Sequence, residues 1–167
     1  MRIHRLERRQ VLPHPVEEVF AFFADARNLE RLTPPLLRFE VLTPGAIEMR
    51  AGTLIEYRLR LHGVAVDWLT RIEEWEPGVR FVDMQLAGPY RLWHHTHAFE
   101  EVVRCSPEQR SGCAPPLNMP SGTLMTDTVL YALPWWPFGE LARPLVRRDL
   151  DQIFGYRRDA VAELLAS

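Results

Sequence analysis

The last stretch of the chain, Phe138 to Leu165, places the tightest limit on the fold. Ala142, Val146, Leu150, Ile153, Phe154, Val161 and Leu164 recur at three- and four-residue steps, while Arg147, Arg148, Asp151, Arg158, Asp159 and Glu163 fall largely on the other side. That spacing predicts a long amphipathic helix with one buried face. No other segment offers a comparable helical face, and what precedes it alternates with period two. One long helix beside many strands predicts an α+β fold in which a curved sheet closes on the helix, with a cavity between them.

The 167 residues suit a single domain, 1–167, large enough for its own core. A net charge of -2 gives no general attraction to nucleic acid or acidic membranes, and no nucleic-acid partner is expected. All 20 cationic residues are arginine. The absence of lysine excludes a Schiff-base lysine, a lysine general base and a P-loop lysine. The segment MRIHRLERRQVLPHP is charged throughout and lacks an apolar h-region, so no secretory signal is expected and the location expected is cytoplasmic. No apolar run has bilayer-spanning length. Cys105 and Cys113 share the polar, proline-rich loop 104–122, too few for a disulfide scaffold and badly spaced for zinc. They read as exposed thiols, with a local disulfide as the other option, and the loop as a surface insertion rather than a lid.

Ile3 to Leu12 reads as a first strand, ended by Pro13 and Pro15. Pro15 suits the start of a helix over Val16 to Ala24, with Glu17 and Glu18 near its positive end and Phe20, Phe23 and Ala24 buried. Asp25 caps a second short helix, Ala26 to Leu32, stopped by Pro34 and Pro35. Six strands follow: Leu37 to Leu42, Thr53 to Leu61, Val64 to Trp75, Val79 to Leu86, Arg91 to Val103 and Thr123 to Leu133. Their short junctions predict an antiparallel meander.

Turn parity assigns faces. A two-residue turn at His62-Gly63 pairs Leu61 with Val64, Leu59 with Val66 and Tyr57 with Trp68, leaving Glu56, Arg58 and Arg60 in water. An even-length turn at Pro77-Gly78 sets Ile72 opposite Asp83 and Thr70 opposite Gln85, which turns Asp83 and Gln85 inward. A three-residue Gly88-Pro89-Tyr90 loop turns in Trp93, His95, His97 and Phe99; it is preferred over a two-residue loop because it buries more aromatic area. On the last strand Met125, Asp127, Val129, Tyr131 and Leu133 form the inward set.

The order of strand, two short helices, six-strand meander and long terminal helix resembles the SRPBCC/START-like helix-grip superfamily (Bet v 1-like), in its polyketide cyclase/dehydrase-type branch. The residues that carry the resemblance are PHPVEEVFAFFADARNLERLTPP (13–35), IEEWEPGVRFVDMQLAGPYRLWHHTHAFEEV (72–102), GTLMTDTVLYALP (122–134) and the closing helix. The resemblance implies a six- or seven-stranded antiparallel sheet gripping the terminal helix. It also implies a hydrophobic small molecule, lipid- or polyketide-like, held between them. It supplies no universal catalytic motif. Two departures are the long loop 104–122 and Pro144, which either kinks the helix near Arg143 or marks where it begins.

Tyr57, Trp68, Trp93 and Phe99 are expected to form apolar wall, and Asp83, Gln85, His95, His97, Asp127 and Tyr131 to orient the guest. His95 and His97, two apart on one strand face, have metal-ligand spacing, with Asp83 or Asp127 as a third ligand. No HExxH, clustered cysteines or further nearby histidine supports that reading, and no metal or cofactor is expected. A second reading pairs His95 or His97 with Asp83 or Asp127 as acid and base for a cyclisation, dehydration or isomerisation. The alternative is a buried network that only specifies the sheet. Trp135-Trp136-Pro137-Phe138 is expected to plug one cavity end rather than offer a partner or membrane patch, the third functional option being a protein-interaction module. Arg143, Arg147, Arg148, Arg157 and Arg158 are expected to form a solvated helix face. A homodimer is left open.

Overall fold

The computed structural model describes residues 1–102 and 122–166. Among them a seven-stranded antiparallel sheet is formed by β1 (His4–Leu12), β2 (Glu40–Val41), β3 (Leu54–Leu61), β4 (Val64–Glu76), β5 (Arg80–Ala87), β6 (Leu92–Val102) and β7 (Gly122–Ala132), in the order β1-β7-β6-β5-β4-β3-β2. Helices α1 (Val16–Ala24) and α2 (Asn28–Arg31) fall between β1 and β2, and α3 (Arg143–Leu165) closes the chain. Loop 104–122, with Cys105 and Cys113, lies outside the described residues except for Gly122 at the start of β7.

Two hairpins fix the inner face. His62 and Gly63 both take positive φ, 50° and 84°, the backbone of a tight two-residue turn whose twist matches the strands. The expected pairs Leu61↔Val64, Leu59↔Val66 and Tyr57↔Trp68 all form. The next hairpin reaches its expected register by another route. Its loop spans three residues, since Glu76 pairs with Arg80, but an irregularity between Ile72 and Glu74 takes up one residue. Ile72 therefore meets Asp83, and Thr70 meets Gln85, as parity requires.

Sheet and α3 bury a common core. Leu150 and Phe154 pack with Leu6, Ile55, Tyr57, Trp68, Ile72, Trp93 and Val129. Val161 joins a second cluster with Phe20 and Phe23 of α1, Leu12, Phe81, Phe99 and Met125. Each such aliphatic or aromatic side chain contributes about 1.5–3 kcal/mol by leaving water.

Three expectations change. The strand over Leu37–Leu42 shrinks to Glu40–Val41, because Pro35–Leu37 forms a 3-10 turn and Arg38 takes a left-handed φ of 45°. Of the two readings of Pro144 the second holds: it marks the start of α3, in the first turn where its missing N–H has no intrahelical partner to lose, and Phe138–Ala142 is a separate 3-10 turn. Trp135 and Trp136 are 84% and 61% exposed, and Phe138 is exposed too, so this segment plugs nothing. The second short helix is a single turn, Asn28–Arg31, with the Asp25 carboxylate accepting from the Arg27 N–H.

Candidate functional site

A cavity of about 140 Å³ lies between the sheet and α3. Tyr57, Leu59, Trp68 and Ile72 from β3 and β4 form one wall, and Leu150, Ile153 and Phe154 from α3 form the opposite one. Phe23 and Leu32 close it from the α1–α2 side. A surface depression shares Leu37, Leu61 and Ile153 with the cavity, so the two adjoin beside the β3–β4 hairpin. The aromatic walls hide their own polar atoms. The Trp68 Nε1–H donates to Thr70 Oγ1 at 3.1 Å, and Tyr57 Oη lies 3.1 Å from the same hydroxyl. Burial pushes the Tyr57 and Tyr90 hydroxyls well above the ordinary phenol range, so both stay neutral.

The polar corner is a product of register. Asp83 on β5 stands opposite His95 on β6, and His97 stands opposite Asp127 on β7. With a side-chain period of two, all four point to the same face. His95 Nε2 lies 2.9 Å from Asp127 Oδ1, and His97 Nε2 lies 3.1 Å from Asp83 Oδ2. Two further contacts close the ring: His95 Nδ1 to Asp83 Oδ2 at 3.4 Å, and His97 Nδ1 to Asp127 Oδ1 at 2.8 Å. The last is an electrostatic contact only, because its direction is wrong for a hydrogen bond. His95 and His97 are 3% and 4% exposed. Phe81 stacks on the His97 ring at 4.3 Å, and Phe154 meets His95 edge-on at 5.5 Å.

Charge is distributed unevenly within the ring. Burial raises the pKa of both carboxyls, yet the two imidazoles together outweigh it, and Asp83 and Asp127 end below the usual range. Burial lowers the His97 pKa, but the Asp127 and Asp83 carboxylates more than restore it, and the net shift is upward. At His95 burial and the neighbouring His97 prevail over the same carboxylates, and the shift is downward. The ring thus favours a proton on His97 over one on His95.

Arg157 also lines the cavity. Its Nε and Nη1 are buried with no hydrogen-bond partner among the described residues, and its guanidinium lies 5.4 Å from the Phe154 ring centroid. The expectation that Arg157 belongs to a solvated face is thus corrected. Its signal was present in the periodicity: it stands three residues after Phe154 and four before Val161, on the buried stripe of α3.

The family profile described as polyketide cyclase/dehydrase and lipid transport matches residues 12–154. The chain belongs to the polyketide cyclase/dehydrase family. Among solved structures, this family member is similar to the Zhui aromatase/cyclase from Streptomyces sp. R1128, with a TM-score of 0.71 and 14% identity over 99% of this chain and 94% of that one. It is also similar to the protein TTHA0849 from Thermus thermophilus (TM-score 0.64, 21% identity, 98% and 97% covered) and to a START superfamily protein from Mycobacterium smegmatis (0.63, 11%, 96% and 99%). These likenesses establish the helix-grip fold. No curated protein matches the sequence. Among the described residues, no helix is long and apolar enough to cross a membrane.

The fold of this cyclase/dehydrase-family chain brings Tyr57, Trp68, Asp83, Trp93, His95 and His97 to the cavity wall, as the sequence led us to expect. Four expected residues lie elsewhere. Gln85 clamps the β5–β6 turn instead, donating from Nε2 to the Tyr90 carbonyl at 2.7 Å. Phe99 is buried against Phe20 and Phe23 in the second cluster. Tyr131 packs on His4 and Tyr90. Asp127 stands behind the histidines and borders a separate recess with Arg8, Gln10 and Arg157.

Proposed function

We propose that this protein is a cytoplasmic carrier or sensor that encloses a small aromatic or otherwise hydrophobic molecule bearing an acidic or carbonyl oxygen. The observation that carries this reading is the cavity itself, apolar over most of its wall and ending at Arg157, whose Nε and Nη1 have no hydrogen-bond partner among the described residues, beside the His–Asp ring. Its volume of about 140 Å³ resembles engineered apolar cavities of about 150 Å³ that take up benzene. One aromatic ring fits inside, with any alkyl tail leaving toward Leu37 and Leu61. Two buried guanidinium nitrogens without acceptors among the described residues are costly, and a guest oxygen relieves that cost. The test is titration of the full chain with 4-butylbenzoate and with its neutral counterpart, 4-butylbenzyl alcohol, read by the fluorescence of Trp68 and Trp93. Saturable binding that favours the carboxylate supports the reading, and absence of saturation for both contradicts it.

The His–Asp ring favours a second reading as an enzyme. An imidazole held by a carboxylate at the edge of an apolar cavity suits proton transfer to or from a carbonyl compound, as cyclisation or dehydration requires. The similar Zhui protein is described as an aromatase/cyclase. In this reading His97→Gln abolishes turnover of a polyketide-like substrate while 4-butylbenzoate still binds. A variant that keeps turnover excludes the histidine as the acid or base.

A further inference from the structure

The Asp83–His95–His97 corner brings three potential ligand atoms together and leaves His97 Nδ1 without a hydrogen-bond partner among the described residues. Each imidazole turns one nitrogen to Asp127 and the other to Asp83. His95 Nε2 and His97 Nδ1 lie 2.9 and 2.8 Å from the same Asp127 Oδ1. His97 Nε2 shares a hydrogen with Asp83 Oδ2 at 3.1 Å, and His95 Nδ1 lies 3.4 Å from the same oxygen. With that hydrogen removed, the two nitrogens and the Asp83 oxygen converge as three acceptors, a set that a metal ion can hold together. All three belong to residues that line the cavity, and Asp127 does not.

We propose that Asp83, His95 and His97 bind a divalent first-row transition ion such as zinc, with its open coordination position facing the cavity and Asp127 orienting both imidazoles from behind. The candidate ligand atoms lie within 4.8 Å of one another. Bonds of about 2.1 Å in tetrahedral geometry give ligand–ligand edges of about 3.4 Å. The observed 3.1 and 3.4 Å separations from Asp83 Oδ2 are already of that size. Two imidazole nitrogens and one carboxylate oxygen suit zinc, iron or cobalt rather than calcium or magnesium, which take oxygen ligands. A carboxylate on the far nitrogen of a ligating histidine is the usual supporting partner, and here one oxygen of Asp127 hydrogen-bonds His95 Nε2 and lies 2.8 Å from His97 Nδ1. The ion takes the place of the hydrogen between His97 Nε2 and Asp83 Oδ2. The two carboxylates balance its charge, which leaves Arg157 for an anionic guest oxygen. Three protein ligands and an open position make a site where a guest carbonyl or a water is polarised.

The inference goes beyond the enclosed-guest reading and stands independently of it. The full chain, stripped with a chelator and desalted, is titrated with Co²⁺ and then with Zn²⁺, with visible absorption as the readout. The expected result is intense absorption of four- or five-coordinate cobalt, saturating at one ion per chain and abolished by one equivalent of zinc. Asp83→Asn and His95→Gln should each weaken binding more than about 100-fold, and Asp127→Asn about 10–100-fold, while the surface variant His62→Ala binds as wild type. Wild-type protein showing only the pale spectrum of hydrated cobalt overturns the proposal, whatever the variants do. So does unaltered cobalt binding by folded Asp83→Asn and His95→Gln. Stripped protein that takes up no cobalt yet still binds 4-butylbenzoate sinks the metal site alone and leaves the enclosed-guest reading standing.

Discussion

Arg157→Met should stabilise the empty protein, a sign opposite to that of most substitutions inside a core. The arginine buries Nε and Nη1 with no acceptor among the described residues. Each unmet buried donor costs about 1–3 kcal/mol. Methionine of similar length keeps the apolar stem against Phe154 and removes both donors. Two losses oppose this gain. The guanidinium over the Phe154 ring contributes about 0.5–1 kcal/mol. Asp83, whose carboxylate Arg157 helps to hold ionised, loses part of its support. The net expectation is a gain of about 1–2 kcal/mol, or roughly 2–8 °C in Tm for a chain of this size. The same variant should bind 4-butylbenzoate at least about tenfold more weakly, since tenfold corresponds to about 1.4 kcal/mol, while its affinity for the neutral alcohol stays within about twofold. Differential scanning calorimetry and fluorescence titration at one ionic strength read both effects. A variant that loses more than about 1 kcal/mol of stability and binds both compounds as wild type does would refute the reasoning: Arg157 would then be structural.

Asp127→Ala should lower stability by about 3–5 kcal/mol in urea melts, because it takes the hydrogen-bond partner from buried His95 and a close carboxylate from His97; a loss below about 1 kcal/mol contradicts the network described. Acid should unfold the metal-stripped protein through its ring carboxylates. Their folded pKa values are depressed, so the stability they add is present above about pH 4, the unfolded range, and erodes as pH falls below it. Asp83→Asn should flatten that part of the stability–pH curve, and an unchanged slope argues against it. Phe154→Ala should cost about 3–5 kcal/mol in calorimetry, since Phe154 joins α3 to the sheet and walls the cavity; near-neutral behaviour shows that α3 is held elsewhere.

Much of this architecture was legible because strands repeat every two residues and turns have parity. The His62-Gly63 turn fixed the Tyr57–Trp68 pair, and the odd parity expected of the Gly88 loop matches the register that sets His95 opposite Asp83. Even a misjudged loop at Pro77 was harmless, because the irregularity near Glu73 restored the register at Asp83. Depth along the strand was harder to read. Phe99 and Tyr131 share the inward face with His95, yet Phe99 lies beneath α1 and Tyr131 against β1 and Tyr90. Alternation gives a face but does not say which layer covers each position. Arg157 was misread for a different reason: charge was allowed to outweigh the three- and four-residue spacing that put it on the buried stripe. Trp135 and Trp136 were assigned to the interior by hydrophobicity alone, and they stand in solvent.

The central claim is that the space between sheet and terminal helix admits a guest, and filling that space tests it most directly. Leu59 lines the cavity, and Leu59→Trp places an indole where the guest's ring would lie. Heteronuclear NMR titration with 4-butylbenzoate should show saturable shifts at cavity-lining residues in wild type, and their loss in a folded Leu59→Trp. Equal titration of both proteins, or shifts confined to the outer face of the sheet, would contradict the account.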